Sequence, residues 1–471
     1  MSREKELVKN TAILTVGKMC TQFINFFLLP LYTTLLNPEE FGVVDLISTY
    51  ISLLLPLVCW QFDQGVFRFM IENRSDNEKI KTIFSSTVVT NLLQCAVLVV
   101  LYIAFSGLIQ SEYVIYLLIG VILNVFSSLL MQFARGLGKM AHYAVGSFIT
   151  ATGTVALNIL LIVFLHWGAH GMFIATLSGV LLNCVYMLAA TKAWNYFDFR
   201  HFRFNMVKKI AAYSLPLVPN QISGWVLNAS DRTIITGVFG LAANGIFTIA
   251  CKFSSVIQTF YGFFNMAWVE TVSIYFNDQD RDQFINKMID TVLCFFISGC
   301  IGIISLMPFV FEHLIDPEYA DAYLHIPILL VAVIFQIIVG LLSSVYIALK
   351  KTKTIARTTV VGAVVNIIVH ISLIRVIGLY AASVSTLVSF ATVAIYRYFD
   401  LQKYIKIKFN TMNLVLSAVV FGCVIATYYY TSQVLHIGAF LLALFFAVYL
   451  NRAMIMQIFR ILKEQIVSKK Q

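Results

Sequence analysis

The chain of 471 residues is strongly apolar, with 59% hydrophobic and only 12% charged residues. Its mean hydropathy is +0.84, whereas soluble globular proteins carry about 25% charged residues. This composition excludes a soluble globular protein and predicts an all-α polytopic membrane protein. The formal net charge of +10 requires no nucleic acid, because basic loops that face anionic lipid headgroups account for it.

Fourteen apolar stretches are long enough to cross about 30 Å of hydrocarbon. The basic segment MSREKELVKN leads directly into the first stretch without a small-residue cleavage site, which favours a retained helix over a signal peptide. No loop between the stretches is large enough for an independent soluble domain. The predicted spans are residues 11–36, 41–67, 83–108, 113–134, 142–165, 171–191, 211–231, 242–266, 289–311, 323–349, 355–376, 379–399, 412–431 and 437–455.

The distribution of basic residues predicts the orientation of these helices. With the N-terminus inside, all of the 33 Lys and Arg residues fall in cytoplasmic segments except Arg232 and Arg375 at outer ends and Lys18 and Lys252 within the membrane. Short loops that retain Lys and Arg lie on the cytoplasmic side. The pattern therefore predicts both termini in the cytoplasm, and a shift by one helix would destroy it.

The first helix carries a single polar stripe, formed by Thr11, Thr15, Lys18, Gln22 and Asn25 at helical spacing. A charge at the centre of the bilayer costs about 2.5–3.5 kcal/mol on insertion scales. The stripe is therefore expected to face a water-filled cavity or other helices, which indicates a transport pathway.

Three pairs of similar segments predict an internal duplication, with offsets near 203–208 residues. A repeat of six helices gives two copies of the same orientation, related by a pseudo-two-fold axis along the membrane normal. The predicted organisation is a six-helix bundle at residues 1–200, a second at 201–405, and two further helices at 406–471. The paired positions are Gly42 with Gly245, Asn158 with Asn366, and Gly171 with Gly378; the alignment also places Asn25 opposite Asn228 and Lys18 opposite Gln221.

Five motifs in order resemble one family. They are NTAILTVGK, LLPLYTTLLNPEEFGVVDL, FRFMIE, MQFARGLGKMAHYA, and the stretch that begins PLVPNQISGWVLNASDR. The chain resembles the Wzx-type polysaccharide flippases of the multidrug/oligosaccharidyl-lipid/polysaccharide exporter superfamily. The resemblance implies two bundles around a central cavity, and transport of undecaprenyl-diphosphate-linked oligosaccharide to the outer leaflet by ion-coupled alternating access.

The chemistry of a diphosphate joined to sugars requires cations and neutral hydrogen-bonding groups. Lys18 and Lys252 are the basic residues deepest in the membrane, and Arg68 would lie at the cytoplasmic mouth, with Gln61 and Gln64 on the same helical face. The expected sugar contacts come from Gln22, Asn25, Gln221 and Asn228, with Asn220 nearby.

Each of these residues also has a structural interpretation. Lys18 could pair with Asp63, and Arg68 could anchor its helix by reaching the lipid headgroups. The Asn and Gln side chains could join helices to one another. For ion coupling the candidates are Asp45, Asp63 and Glu270, although Asp45 could bond within its own hairpin and Asp231 could pair with Arg232.

Neither a phosphate-binding GxxxxGK[ST] loop nor a Cys/His pattern with ligand spacing is present in the sequence. No cofactor, metal or enzymatic activity is therefore expected. The alternatives are a multidrug or cation antiporter of the same superfamily, a flippase for peptidoglycan lipid precursors and, from another class, a membrane polysaccharide polymerase. Expected partners are the lipid-linked oligosaccharide, membrane lipids, and polymerase or chain-length machinery.

Overall fold

The computed structural model describes residues 28–105 and 111–456. These residues form α-helices joined by short turns, and they divide into two compact units, with the boundary between Gly245 and Ile246. Eleven helical stretches in the described part are long and apolar enough to cross a membrane. The protein is thus a helical, multi-pass membrane protein, as its composition predicts.

The first unit is built from long helices with short amphipathic segments between them. The helix Met140–Asn158 continues as a π-helical turn at Ile159–Phe164. The helices are α1 (Leu29–Leu35), α2 (Pro38–Cys59), α3 (Phe62–Glu72), α4 (Asn77–Phe105), α5 (Val114–Gly136), α6 (Met140–Asn158), α7 (Gly168–Thr191), α8 (Phe204–Ser214) and the start of α9 (Val218–Ile274).

In the described residues, the second unit contains the end of α9 and six further α-helices. Within it, the helix Arg281–Leu314 packs against the last two described helices, and the helix Tyr380–Leu401 packs against both of the helices that immediately precede it. The six helices are α10 (Arg281–Leu314), α11 (Ala322–Ala348), α12 (Thr352–Ile377), α13 (Tyr380–Leu401), α14 (Thr411–Tyr428) and α15 (Gln433–Leu450).

Of the first predicted span, 11–36, only the part from residue 28 lies within the described residues. The other predicted spans coincide with helices, except that the seventh begins in α8 and continues into α9, and that the second is not one continuous helix. Trp60 and Gln61 have φ values of 50° and 56° and separate α2 from α3. Left-handed backbone is uncommon for residues other than glycine, so sequence periodicity gave no sign of this break. As a correction, Gln61 lies outside the helix that carries Gln64 and Arg68 and does not share its face by helical spacing.

The seventh and eighth predicted spans are joined in α9 and separated only by Gly240, whose φ is 85°. Glycine adopts this conformation readily because it has no Cβ. The chain therefore turns at Gly240 without an intervening loop.

A core of large apolar side chains holds the inner part of the first unit together. Phe62, Val66 and Met70 on α3 are fully buried, at one side of the helix, and pack with Phe133 of α5. Arg135 and Gly136 at the end of α5 accept hydrogen bonds from the Arg74 guanidinium through their backbone oxygens. The ARGLGK turn thus fastens the chain after α3 to the end of α5.

In the second unit, Arg397 of α13 is buried, with 1% of its surface exposed. Its guanidinium donates to the Thr358 hydroxyl at 2.7 Å and to the backbone oxygens of Ile355 at 3.2 Å and Val339 at 3.1 Å. It also donates to the Ser343 hydroxyl. Arg397 therefore ties α13 to α11 and α12 through neutral acceptors. The positive-inside pattern counts Arg397 among the cytoplasmic basic residues and does not predict its burial.

Candidate functional site

The helices α2 and α9 meet at two glycines in the first unit. A Cβ on Gly42 would overlap the Leu241 carbonyl oxygen and lie 2.9 Å from the Gly245 nitrogen. Small residues allow helix backbones to approach this closely in membranes. The Asn244 side chain, which is fully buried, donates to the Gly42 carbonyl oxygen at 2.9 Å and fixes the contact.

An ion pair lies beside this glycine contact. The Arg232 Nε and Asp45 Oδ2 atoms are 2.9 Å apart, and each side chain is 15% exposed. Asp45 therefore bonds beyond its own hairpin. The N-terminus of α2 is capped by Asn37 and Glu40 instead. Arg232 departs from the positive-inside pattern, and such a departure is the sequence signal that a specific acidic partner exists.

A third contact extends the same face of α2. The Trp225 indole N–H donates to the Thr49 carbonyl oxygen at 3.0 Å. Helical spacing places Gly42, Asp45 and Thr49 on one face of α2. Their partners on α9 occur in the reverse order along the chain. We call this set of contacts the α2–α9 seam; its members on α9 are Trp225, Arg232, Asn244 and Gly245.

Asp63 is the second predicted acidic residue, and it lies in the first turn of α3 with 8% of its surface exposed. The Gln64 amide donates to its Oδ2 atom at 2.9 Å. Its Oδ1 atom has no hydrogen-bond partner within the described part of the chain. A buried carboxylate with one unbonded oxygen is costly and commonly marks a functional group.

Arg68 lies one turn further along α3 and is half-exposed. It pairs with Glu72 at 2.8 Å across one helical turn. A pair of this kind is weak because both groups remain solvated. The guanidinium is therefore accessible to another anion.

The remaining predicted residues lie on exposed surfaces of α9. Gln221, Asn228, Lys252 and Glu270 are all exposed, and the Asn228 amide donates to the Gly224 carbonyl oxygen of its own helix at 2.7 Å. The Lys252 ammonium makes no ion pair within residues 28–105 and 111–456. Three predicted residues lie outside the described residues: Lys18, Gln22 and Asn25. The Lys18 side of the predicted Lys18–Asp63 pair is therefore outside them as well.

Comparisons with known proteins agree with the motif resemblance. The chain is 21% identical over 437 residues to the "Probable low-salt glycan biosynthesis flippase Agl15" of Haloferax volcanii, covering 88% of this chain and 90% of that protein. It is also 22% identical over 274 residues to an "Uncharacterized membrane protein" of Haemophilus influenzae, which covers 56% of this chain and 64% of the other.

Solved structures have the same fold. The lipid II flippase MurJ in an inward closed conformation superposes with a TM-score of 0.70 at 16% identity, covering 94% of this chain and all of that one. An inward-facing MATE family multidrug transporter of the MOP superfamily superposes with a TM-score of 0.63 at 13% identity, covering 86% and 96%.

A family model described as "Polysaccharide biosynthesis protein" matches residues 7–276. This match covers more than half of the chain and includes the helices α1 to α8, all of α9 and the α2–α9 seam. The chain therefore belongs to the polysaccharide biosynthesis protein family, the Wzx-type group of membrane proteins that its motifs resemble.

Proposed function

We propose that the protein is a flippase that moves undecaprenyl-diphosphate-linked oligosaccharides from the cytoplasmic to the outer leaflet of a bacterial plasma membrane. The family match over residues 7–276 carries this proposal. The transported repeat unit would serve capsule, O-antigen or exopolysaccharide synthesis and would pass to a polymerase and its chain-length machinery. Both termini would lie in the cytoplasm.

The substrate contacts in this proposal follow the chemistry of its headgroup. Lys18 and Lys252 would attract the diphosphate, and Arg68 would meet it at the cytoplasmic entrance. Exposure of Lys252 and Arg68 supports these roles, since a cation that is already buried in an ion pair would have to give up its partner first. The amides of Gln22, Asn25, Gln221 and Asn228 would contact sugar hydroxyls.

The α2–α9 seam would close the pathway on the outer side. Its two helices come from different copies of the predicted repeat, and the orientation pattern places Asp45 and Arg232 at outer ends. Alternating access requires such a closure to open when the cytoplasmic side closes. A close glycine contact beside one ion pair suits this purpose, because it is tight when formed and can be separated without unfolding either helix.

Ion coupling requires a carboxylate whose charge state changes during the cycle. Among the three predicted acidic residues, Asp63 is the strongest candidate, because it is buried with an unbonded oxygen in the described part of the chain. Asp45 is bound to Arg232, and Glu270 is exposed. A proton on Asp63, or an ion beside it, would remove the cost of the buried charge.

The test uses the full-length protein in liposomes with fluorescent lipid-linked oligosaccharides that differ in their repeat unit. A membrane-impermeant quencher reports the leaflet in which the fluorophore lies, and protein-free liposomes give the background. Protein-dependent movement of at least one oligosaccharide is expected. If none moves while organic cations are actively exported, the protein is a multidrug antiporter and the proposal fails.

A further inference from the structure

An open apolar groove of about 570 Å³ runs along the side of the first unit. Its walls come from the end of α2, the middle of α4 and the start of α8. Representative lining residues are Leu57, Trp60, Leu93, Val97, Phe204 and Val207.

The groove lies on a surface that faces hydrocarbon. Leu93 and Val97, one helical turn apart on α4, each have 61% of their surface exposed. The α4 segment is one of the helices long and apolar enough to span the membrane. Such a large exposed apolar surface on a spanning helix is covered by lipid chains or by another protein.

The length of the groove matches one leaflet. Along α4 the lining runs from Thr90 to Leu101, about 16 Å at 1.5 Å per residue. This is about half of the 30 Å hydrocarbon thickness. The groove therefore suits one acyl chain of one leaflet better than a polyprenyl chain that is longer than a leaflet.

The end of the groove that is formed by α8 carries positive charge. Phe204 and Val207 of α8 line the groove, while Arg203, Lys208 and Lys209 beside them are exposed. The Lys208 ammonium lies 5.0 Å from the centre of the Phe204 ring. An amphipathic helix with basic residues on its polar face lies in the membrane interface and attracts anionic headgroups.

We propose that this groove is a binding site for one anionic phospholipid of the cytoplasmic leaflet. One acyl chain lies between α2 and α4, and the headgroup phosphate rests on Lys208, Lys209 and Arg203. The site is separate from the residues assigned to the transported headgroup. It anchors α8, the segment that leads into α9, to the leaflet from which the proposed substrate is taken.

The test uses full-length protein in nanodiscs that contain phosphatidylglycerol with a photoreactive diazirine in one acyl chain. Cross-linked peptides are identified by mass spectrometry. Cross-links are expected to concentrate in residues 90–101 and 202–207 and to be competed by unlabelled phosphatidylglycerol at several-fold lower concentration than by phosphatidylcholine. Even labelling along all spanning helices, or equal competition by both lipids, would overturn the proposal.

Two variants with matched controls separate the parts of the site. Val97→Trp fills the groove and should reduce labelling there several-fold, whereas Val364→Trp, at a position 51% exposed on α12, should leave it unchanged. Replacing Lys208 and Lys209 by Gln should remove the preference for phosphatidylglycerol, whereas Lys406→Gln should not. An unchanged preference in the double variant would overturn the headgroup assignment.

A third variant tests whether the occupant is an acyl chain. Gln94 lines the groove, and neither polar atom of its amide has a hydrogen-bond partner in residues 28–105 and 111–456. Gln94→Leu makes the lining more apolar, so labelling should be retained or increased. Loss of labelling would indicate a ligand that hydrogen-bonds to Gln94 and would overturn the acyl-chain assignment.

Discussion

Gly42 and Gly245 make reciprocal contacts with each other's helices. A Cβ on Gly42 would overlap the Leu241 carbonyl oxygen, and a Cβ on Gly245 would overlap the Pro38 carbonyl oxygen. Pro38 and Leu241 are separated by the same 203 residues as Gly42 and Gly245. Exchanging the two copies of the predicted repeat therefore gives the same contact again, as expected at a local two-fold axis. This symmetry supports the internal duplication predicted from the sequence.

This reciprocity predicts that the two glycines are equally intolerant of a side chain. Gly42→Ala and Gly245→Ala should each force α2 and α9 apart and destabilise the seam by about 1–3 kcal/mol. The measurement is the apparent unfolding midpoint of the purified protein. Gly237→Ala on α9 is the control, because a Cβ there meets nothing within 4 Å. An effect at only one of the two positions would contradict the reciprocal contact.

The Asp45–Arg232 ion pair should hold the seam closed. Loss of one partner from a half-buried pair costs about 1–3 kcal/mol, which corresponds to a roughly five- to 150-fold change in an equilibrium. Asp45→Asn should therefore increase the labelling rate of a cysteine introduced by Thr49→Cys, in a background without other reactive cysteines. A membrane-impermeant maleimide added from outside measures this rate.

The control for this prediction restores the pair in reverse. Asp45→Arg combined with Arg232→Asp should return labelling toward the rate of the parent protein, whereas either change alone should not. Equal labelling of all these variants would mean that the ion pair does not contribute to closure.

The membrane helices could be predicted from the sequence because hydrophobic length and basic loops are local signals. The pairing of Asp45 with Arg232 could not, since it joins residues 187 positions apart and local composition does not report such a contact. The apolar neighbours of Trp60 and Gln61 predict a continuous helix, and periodicity does not register a left-handed turn. The sequence pattern counts Arg397 with the cytoplasmic charge, yet packing of three helices buries it.

Arg397 should stabilise the second unit by fixing α11, α12 and α13 together. Arg397→Lys keeps the charge but cannot supply the planar set of donors. We expect it to destabilise the protein by about 1–3 kcal/mol, because hydrogen bonds to a charged group are lost in a buried position. The apparent unfolding midpoint is compared with that of Arg375→Lys, an exposed arginine on α12. Equal unfolding midpoints for the two variants would contradict the prediction that Arg397 fixes the three helices together.

The loop before α8 should contribute less to the stability of the protein at acid pH. The backbone N–H of Arg200 donates to Asp198 at 2.8 Å, and this bond, helped by the His201 ring at 3.1 Å, lowers the pKa of Asp198 from its ordinary value. A lowered pKa in the folded state gives stability that is complete above the ordinary Asp pKa of about 3.9. That stability is lost as the pH falls through the lower folded value.

Asp198→Asn isolates this effect because it keeps an acceptor oxygen and removes the charge. The parent protein should have the higher unfolding midpoint at pH 6, and the difference should shrink as the pH falls below about 4. Glu318→Asn, at an acidic residue in another exposed turn, controls for the general loss of negative charge. A difference that is constant from pH 6 to pH 3 would rule out ionisation of Asp198 as its source.

Lys252 should contribute to transport without contributing to folding. Its side chain is exposed and makes no ion pair in the described part of the chain, so Lys252→Gln should leave membrane insertion and the unfolding midpoint unchanged. If Lys252 attracts the diphosphate, the variant should move lipid-linked oligosaccharide at least ten-fold more slowly, about 1.4 kcal/mol or more in free energy. Lys406→Gln, at an exposed lysine in the turn before α14, should transport at the parent rate. Parent-like transport by Lys252→Gln would remove this lysine from the proposed phosphate site, and the test on Lys18→Gln would then decide whether any membrane-embedded lysine binds the headgroup.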